Sequence, residues 1–316
     1  MIEIVWFVLG LVLLALGGDS VVKGAAGLAR GRGVSPFMVG LLLVAVATSL
    51  PELAINVWAI SRGEPALAVG NAIGSNVANV GMTLGAAALV APLVVTWRAL
   101  NPMLVVLLAA TALTVALSLD GGLSNIDGVV LVVAYVAAIA FAWRRTRRNG
   151  ESAPAEVAGF LQTGTGSGLN LLRIGIAAVA LYFGGRLVVD NGLVVGAAMG
   201  LSPLLAGLLP IAILTTLPET VAAIGASRRG QGDMVAGHVI GASLFNLLVV
   251  VGGIAMVHGL PIPASFVRYE LPIAFVFALM LVPMLRGDMR FSKREGAVLL
   301  LAFAAWVTFE IVMLRG

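Results

Sequence analysis

The sequence predicts an all-α membrane protein, ten transmembrane helices arranged as two inverted five-helix repeats. Three observations predict it: an apolar share that no soluble fold could bury, ten apolar segments, and a second half that repeats the first. Of 316 residues, 60% are apolar and 11% charged, against roughly 25% charged in a soluble domain. A bilayer solvates such a chain, and at about 20 residues per span roughly ten helices fit its length. The lack of Cys excludes disulfides, thiolate zinc sites and iron–sulfur clusters, and the two His, His238 and His258, argue against an imidazole-rich metal centre. Bound metal is expected on oxygen. A pI of about 10 fits topology better than nucleic acid, because the Arg residues are scattered between apolar runs instead of gathered on one face.

Taken in order, the apolar runs begin near Ile4, Pro36, Ala66, Pro102, Asp127, Leu171, Ser202, Asp233, Arg268 and Glu295. The first carries an acid and no basic cluster ahead of it, so it is expected to stay as a mature span and not to be cleaved as a signal. A polar stretch rich in Arg, Gly, Ser and Thr follows the fifth run. It divides the chain into a first five-helix repeat (1–143), a cytoplasmic linker (144–170) too short for a regulatory domain, and a second five-helix repeat (171–316).

The halves align at a constant offset of 167 residues. Gly17-Gly18 maps to Gly184-Gly185, SPFMVGLL from Ser35 to SPLLAGLL from Ser202, TSLPE at 48–52 to TTLPE at 215–219, and GNAIGSNVAN at 70–79 to GHVIGASLFN at 237–246. Near the ends the segments from Ile126 and Arg294 match at an offset of 168. Five spans per half is an odd number, so the halves must lie in opposite orientations. Charge sets the hand: fifteen Lys and Arg fall on one side of this topology, and only Arg62, Arg186, Arg268 and Arg315 on the other. The positive-inside rule then puts the linker in the cytoplasm and both termini outside, and the Arg-heavy, Cys-free composition points to a prokaryotic cytoplasmic membrane.

Glu52 and Glu219 lie deep in apolar segments with no Lys or Arg in the same spans. An ionised carboxylate at that depth costs several kcal/mol, about 2.5–3.5 even on insertion scales, so it needs a partner. A single buried Glu can be protonated and hydrogen-bonded to a neighbouring helix; two at repeat-equivalent positions point to a bound cation. Pro51 and Pro218 each remove a backbone donor just before the acid and free carbonyl oxygens near Thr48, Ser49, Thr215 and Thr216. The third and eighth spans add Asn71, Ser75, Asn76 and Asn79, and His238, Ser243 and Asn246; spacings of four put Asn71, Ser75 and Asn79 on one face, and likewise His238, Ala242 and Asn246. Such a hard-oxygen cage suits calcium, which takes 6 to 8 oxygens in loose geometry, better than magnesium, which resists dehydration. The glycines around 70–85 and 237–252 are expected to let helices approach. Asp19, Lys23 and Asp190 are expected to snorkel to water from span ends.

TSLPE followed by GNAIGSNVAN, and TTLPE followed by GHVIGASLFN, resemble the two alpha repeats of the cation/calcium exchanger superfamily, specifically its sodium/calcium exchanger branch. The resemblance spans nearly the whole chain. It implies ten helices in two inverted repeats, with calcium and sodium competing for one central cluster. Carried over by position, it implies calcium ligands in the Glu52 and Glu219 carboxylates and the Thr48 and Thr215 carbonyls. The implied sodium sites draw on Ala45, Ser49, Ser75, Ala212, Thr216 and the same acids, with Asn79 and Asn246 closing the centre. Three departures stand out: Ala242 lacks a hydroxyl that the pattern supplies, His238 replaces an Asn, and Asn246 stands where some members carry an acid. The different acidic signature of the proton/calcium branch is not seen.

The sequence therefore predicts a secondary antiporter moving calcium against sodium through the lipid bilayer, with no cofactor, no nucleic acid and nothing pointing to a protein partner. A calcium/proton antiporter on the same fold is the alternative, since Ala242 loses a sodium ligand and an imidazole can titrate near neutral pH. An intramembrane hydrolase would need a nucleophile and base in matching context, and none is found. A passive channel fits poorly, because a tight two-carboxylate site would hold calcium too long.

Overall fold

The structure, a computed structural model, describes residues 2–31, 49–95, 100–149, 166–286 and 289–313. These form ten helical rods: α1 (Ile2–Gly31), α2 (Leu50–Ser61), α3 (Pro65–Val90), α4 (Leu100–Leu117), α5 (Asn125–Asn149), α6 (Ser167–Ala198), α7 (Pro203–Arg228), α8 (Gly232–His258), α9 (Glu270–Arg286) and α10 (Lys293–Met313). Eight described helices are long and apolar enough to cross a membrane. Of the run expected from Pro36, only the end from Ser49 falls within the described residues. The molecule is an integral membrane protein, all-helical in its spans.

Burial sorts the rods into layers. In α3 and α8, 78% of the apolar window is buried, against 22% in α5 and 28% in α10. The two Asn-bearing helices are therefore the core, and the outer helices turn Val5, Val133, Leu172 and Leu301 outward, as lipid contact requires. In α1 and α6 this outward face is matched by a small-residue seam. A Cβ on Gly10 would meet the Gly184 carbonyl at 3.0 Å, and one on Gly184 would meet that of Gly10 at 3.0 Å, so the backbones touch where a larger residue would force them apart.

The repeats interlock by exchange. α5 of the first half packs on the end of α8, and α10 of the second on the end of α3. Two short ribbons follow the same rule. Strand β1 (Leu93–Val94), after α3, pairs antiparallel with β4 (Arg290–Phe291), before α10; β2 (Gly122–Leu123), before α5, pairs with β3 (Leu260–Pro261), after α8. Leu93 faces Phe291 and Leu260 faces Leu123, the same pairing seen from the opposite side. One ribbon lies at each end of the bundle, as inverted repeats demand. Lys23, Arg228, Arg229, Arg290 and Lys293 gather at the β1·β4 end, whereas Arg62, Arg186 and Arg268 lie at the other.

A π-helical turn interrupts both core helices at matching places, Asn79–Leu84 in α3 and Asn246–Val251 in α8. A third, Gly207–Ile211, opens α7 and contains Pro210. Pro218 does not break its helix, which runs unbroken from Ala212 to Arg228. The carbonyl left without an i+4 donor by Pro218 is that of Leu214, one residue before Thr215.

Candidate cation site

The site forms where α2 and α7 meet the crossing of α3 and α8. Close approach is possible because α3 presents Gly where α7 presents backbone: a Cβ on Gly74 would fall on the Leu208 carbonyl oxygen and meet the Ala212 Cβ at 2.8 Å. Ala212, fully buried, fixes the start of the segment that carries Thr215, Thr216 and Glu219.

Glu52 sits in the first turn of α2, 1% exposed, and neither carboxylate oxygen has a hydrogen-bond partner. Glu219 lies close enough for the two charges to act on each other, and no Lys or Arg among the described residues bridges to either. Around them, Ser49 Oγ, Ser75 Oγ, Asn71 Oδ1, Asn79 Oδ1, Ser243 Oγ and Asn246 Oδ1 are buried and unpartnered. With both Glu52 oxygens and Glu219 Oε2 that makes nine orphaned oxygens on α2, α3 and α7 to α8 or just before them. Buried polar atoms are nearly always paired, and one calcium takes six to eight oxygens. The donor set fits a hard cation, with oxygens to spare for a second small ion.

The remaining polar groups hold this set in place. Asn79 and Asn246 each begin a π turn, where the extra residue shifts the ladder. Asn76 Nδ2 donates to the Ser243 carbonyl and Asn246 Nδ2 to Asn76 Oδ1, both at 3.3 Å. Thr215 donates to the Ile211 and Ala212 carbonyls and Thr216 to that of Ala212, which leaves hydroxyl lone pairs as acceptors. Thr48 and Ala45 lie outside the described residues. Three participants were not singled out from sequence. Asn56, one turn beyond Glu52 on the same helix face, accepts from Asn71 Nδ2 at 2.9 Å; the i+4 spacing was the signal. Thr83 and Thr220 share a 2.7 Å hydrogen bond with no repeat counterpart, and no sequence pattern marks it.

Among the described residues, the two acids differ in exposure. A cavity of about 200 Å³ opens between α1, α7 and α8 toward the end that carries Arg228, and Thr215, Glu219 and His238 line it beside Ala15, Asp19 and Ala223. Glu219 is 13% exposed in its side chain, whereas Glu52 is sealed. Farther along α2, toward the opposite end, a cluster ties it to α6. Trp58 Nε1 donates to Asp190 at 3.1 Å, Arg62 and Arg186 pair with the same carboxylate at 3.0 and 3.6 Å, and Tyr182 stands edge-on to Trp58. Asp190 is thus a tied residue of this cluster and does not extend freely to water. The repeat places of Trp58 and Tyr182 hold Gly225 and Ala15, so no aromatic plug stands on the open side at those positions.

Similarity to known proteins places the chain. An inner membrane protein YrbG of Escherichia coli is 35% identical over 249 residues, covering 78% of this chain and 77% of that protein. The sodium/calcium exchanger MaX1 of Methanosarcina acetivorans is 25% identical over 334 residues, 95% of each. The solved structure of the sodium-calcium exchanger NCX_Mj, soaked with sodium and strontium, superposes with a TM-score of 0.68 at 26% identity over 97% of this chain and 98% of that one; its ten-helix inverted-repeat fold is the fold found here. The family model described as sodium/calcium exchanger protein matches residues 2–144 and 169–312, and with both halves accounted for, the chain belongs to the sodium/calcium exchanger family of membrane cation exchangers.

Proposed function

We propose that this protein is a secondary antiporter that exchanges calcium for sodium by alternating access, with the ions bound midway through the membrane between the two repeats. One observation carries the reading: Glu52 and Glu219, repeat equivalents, lie within electrostatic reach of each other among unpartnered oxygens, and no Lys or Arg among the described residues pairs with either. Two carboxylates give a formal charge of minus two, which one calcium or two sodium ions neutralise. The empty, charged site would cross between the two accessible states at a cost of several kcal/mol, so exchange is favoured over leak. The names of the exchanger relatives support the same ions.

In this assignment the cavity faces the cytoplasm, the basic end is inside, both termini are outside, and 144–170 links repeats 1–143 and 171–316. Calcium is held by Glu52, Glu219 and the Thr48 and Thr215 carbonyls. Sodium uses Ala45, Ser49, Ser75, Ala212 and Thr216 with the same acids, and Asn79 and Asn246 close the centre. The test is calcium uptake into reconstituted vesicles under an imposed sodium gradient. Uptake that follows the gradient and reverses with it is expected; calcium flux indifferent to sodium would overturn the coupling.

A second reading, proton in place of sodium, is favoured by one contact: His238 Nε2 lies 3.4 Å from Glu219 Oε2, where an imidazolium would act as a tethered counter-charge. A pH gradient applied without sodium separates the two.

A further inference from the structure

The second repeat departs from the first at one place where the change alters the kind of ligand and not only its number. In the first repeat Asn71 is held by Asn56, Nδ2 to Oδ1 at 2.9 Å. The equivalents are His238 and Ala223. Ala223 has nothing to hold the imidazole, and His238 turns instead toward Glu219. Its Nε2 is buried, has no hydrogen-bond partner, and lies 3.4 Å from Glu219 Oε2, itself unpartnered. His238 is 90% buried in its side chain, and both groups line the wall of the open cavity.

That separation has a chemical meaning. Two ligands bound to one small divalent ion at 2.0–2.2 Å, at tetrahedral or octahedral angles, stand roughly 3.0–3.5 Å apart. The pair is already spaced as neighbouring ligands of a single ion. Oxygen alone suits calcium and sodium, whereas an imidazole beside a carboxylate favours first-row transition divalents in the Irving–Williams sense. The described residues bring no third acid or imidazole to this point. Two protein ligands leave the other positions of such an ion to water, which holds it loosely enough to leave again.

We propose that His238 Nε2 and Glu219 Oε2 form the cavity-side end of a binding site for a first-row transition divalent cation, which makes such ions a substrate class of this exchanger alongside hard cations. This rests on the assignment of Glu219 as an ion ligand. Asn71 supplies no equivalent in the first repeat, so the preference belongs to the cavity-facing state.

The probe is Mn²⁺, bound to the full-length protein in detergent and read by the nitrogen modulation of its pulsed EPR signal. The chain has two His, and His258 is exposed at the far end of α8, so His258→Asn leaves His238 as the only imidazole. In that background nitrogen modulation is expected. It should vanish in His238→Asn, which installs the residue of the first repeat, and weaken in Ala223→Asn, which gives the imidazole the partner that Asn56 gives Asn71. The ratio of Mn²⁺ to Ca²⁺ affinity should fall about tenfold or more in His238→Asn. A Mn²⁺ signal with oxygen ligands only, no Mn²⁺ binding, or an unchanged affinity ratio would overturn the site. Failure of sodium-driven calcium uptake with nitrogen-coupled Mn²⁺ intact would remove the calcium assignment and leave this one standing.

Discussion

Asn76 on α3 donates through Nδ2 to the main-chain carbonyl of Ser243 on α8 at 3.3 Å, and Ser243 is the residue that holds Asn76's own place in the second repeat. A residue that touches its own counterpart lies on the axis relating the halves. Asn246 completes the link by donating to Asn76 Oδ1. Asn76→Ala strands the buried Asn246 side-chain amide, at about 1–3 kcal/mol for a buried group left unpaired, while the Ser243 carbonyl keeps the main-chain N–H of Asn246. Thermal unfolding in detergent should shift down by several degrees, and an unchanged midpoint would show that the link carries no load.

Removing one charge from the central pair should stop exchange without unfolding the protein. Glu52→Gln and Glu219→Gln keep shape and volume but halve the negative charge that offsets the desolvation of a divalent ion. Calcium uptake into vesicles should fall to background in each while membrane insertion persists. Sodium-driven uptake retained in both would refute the two-carboxylate site.

Backbone contact between α3 and α7 makes Gly74 intolerant of any side chain. Gly74→Ala puts a methyl on the Leu208 carbonyl, whereas a Cβ on Gly253 meets nothing within 4 Å. Gly74→Ala should cost about 1–3 kcal/mol as overpacking does and lower both yield and unfolding temperature. Gly253→Ala, in the same assays, should match the parent or exceed it slightly.

The end opposite the cavity can be loosened from Asp190. Asp190→Asn weakens its pairing with Arg62 and Arg186, which are themselves about half exposed, so about 1 kcal/mol is at stake. That shifts the balance roughly fivefold toward the state open on the Arg62 side. Because the chain has no Cys, Ala223→Cys is a unique label in the present cavity, and its reaction rate with a water-soluble thiol reagent should fall when Asp190→Asn is added. A rate that stays the same or rises would show that this cluster does not hold the gate.

Ala242 is buried at 1% and stands where Ser75, with an unpartnered Oγ, stands in the other half. Ala242→Ser should restore a hydroxyl and steepen the dependence of uptake on sodium concentration. No change in that dependence would argue that sodium has no site there.

The gross plan was legible because it rests on chemistry that repeats. A carboxylate in an apolar run, twice at one offset, stands out from any background, and the spacing of Asn71, Ser75 and Asn79 follows from helix period alone. What escaped depends on contacts between distant segments or on small departures from the period. The π turns at Asn79 and Asn246 leave the composition unchanged. Asp190 near a span end reads as a residue seeking water, and only the meeting of α2 with α6 turns it into the anchor for Trp58, Arg62 and Arg186. The turn of His238 toward Glu219 follows from a deletion elsewhere, Ala223 in the place of Asn56, which no local pattern reveals. Thr48 and Ala45, read from the motif, lie outside the described residues and stay proposals.

The exchanged ribbons also order the birth of the molecule. A nascent chain emerges N-terminus first, so Leu93 leaves the ribosome long before Phe291, its partner, has been made. The first repeat must wait in the bilayer with β1 unpaired, α3 lacking α10 and α5 lacking α8. A segment left with open backbone edges is vulnerable, and its two seals arrive separately: β3 brings the one for β2, and β4, just ahead of the last helix, brings the one for β1. Protease resistance should therefore appear in steps during synthesis, the last only when Arg290–Phe291 has been delivered, and a chain stopped after α9 should be cleared by membrane proteases although both of its acids are already in place.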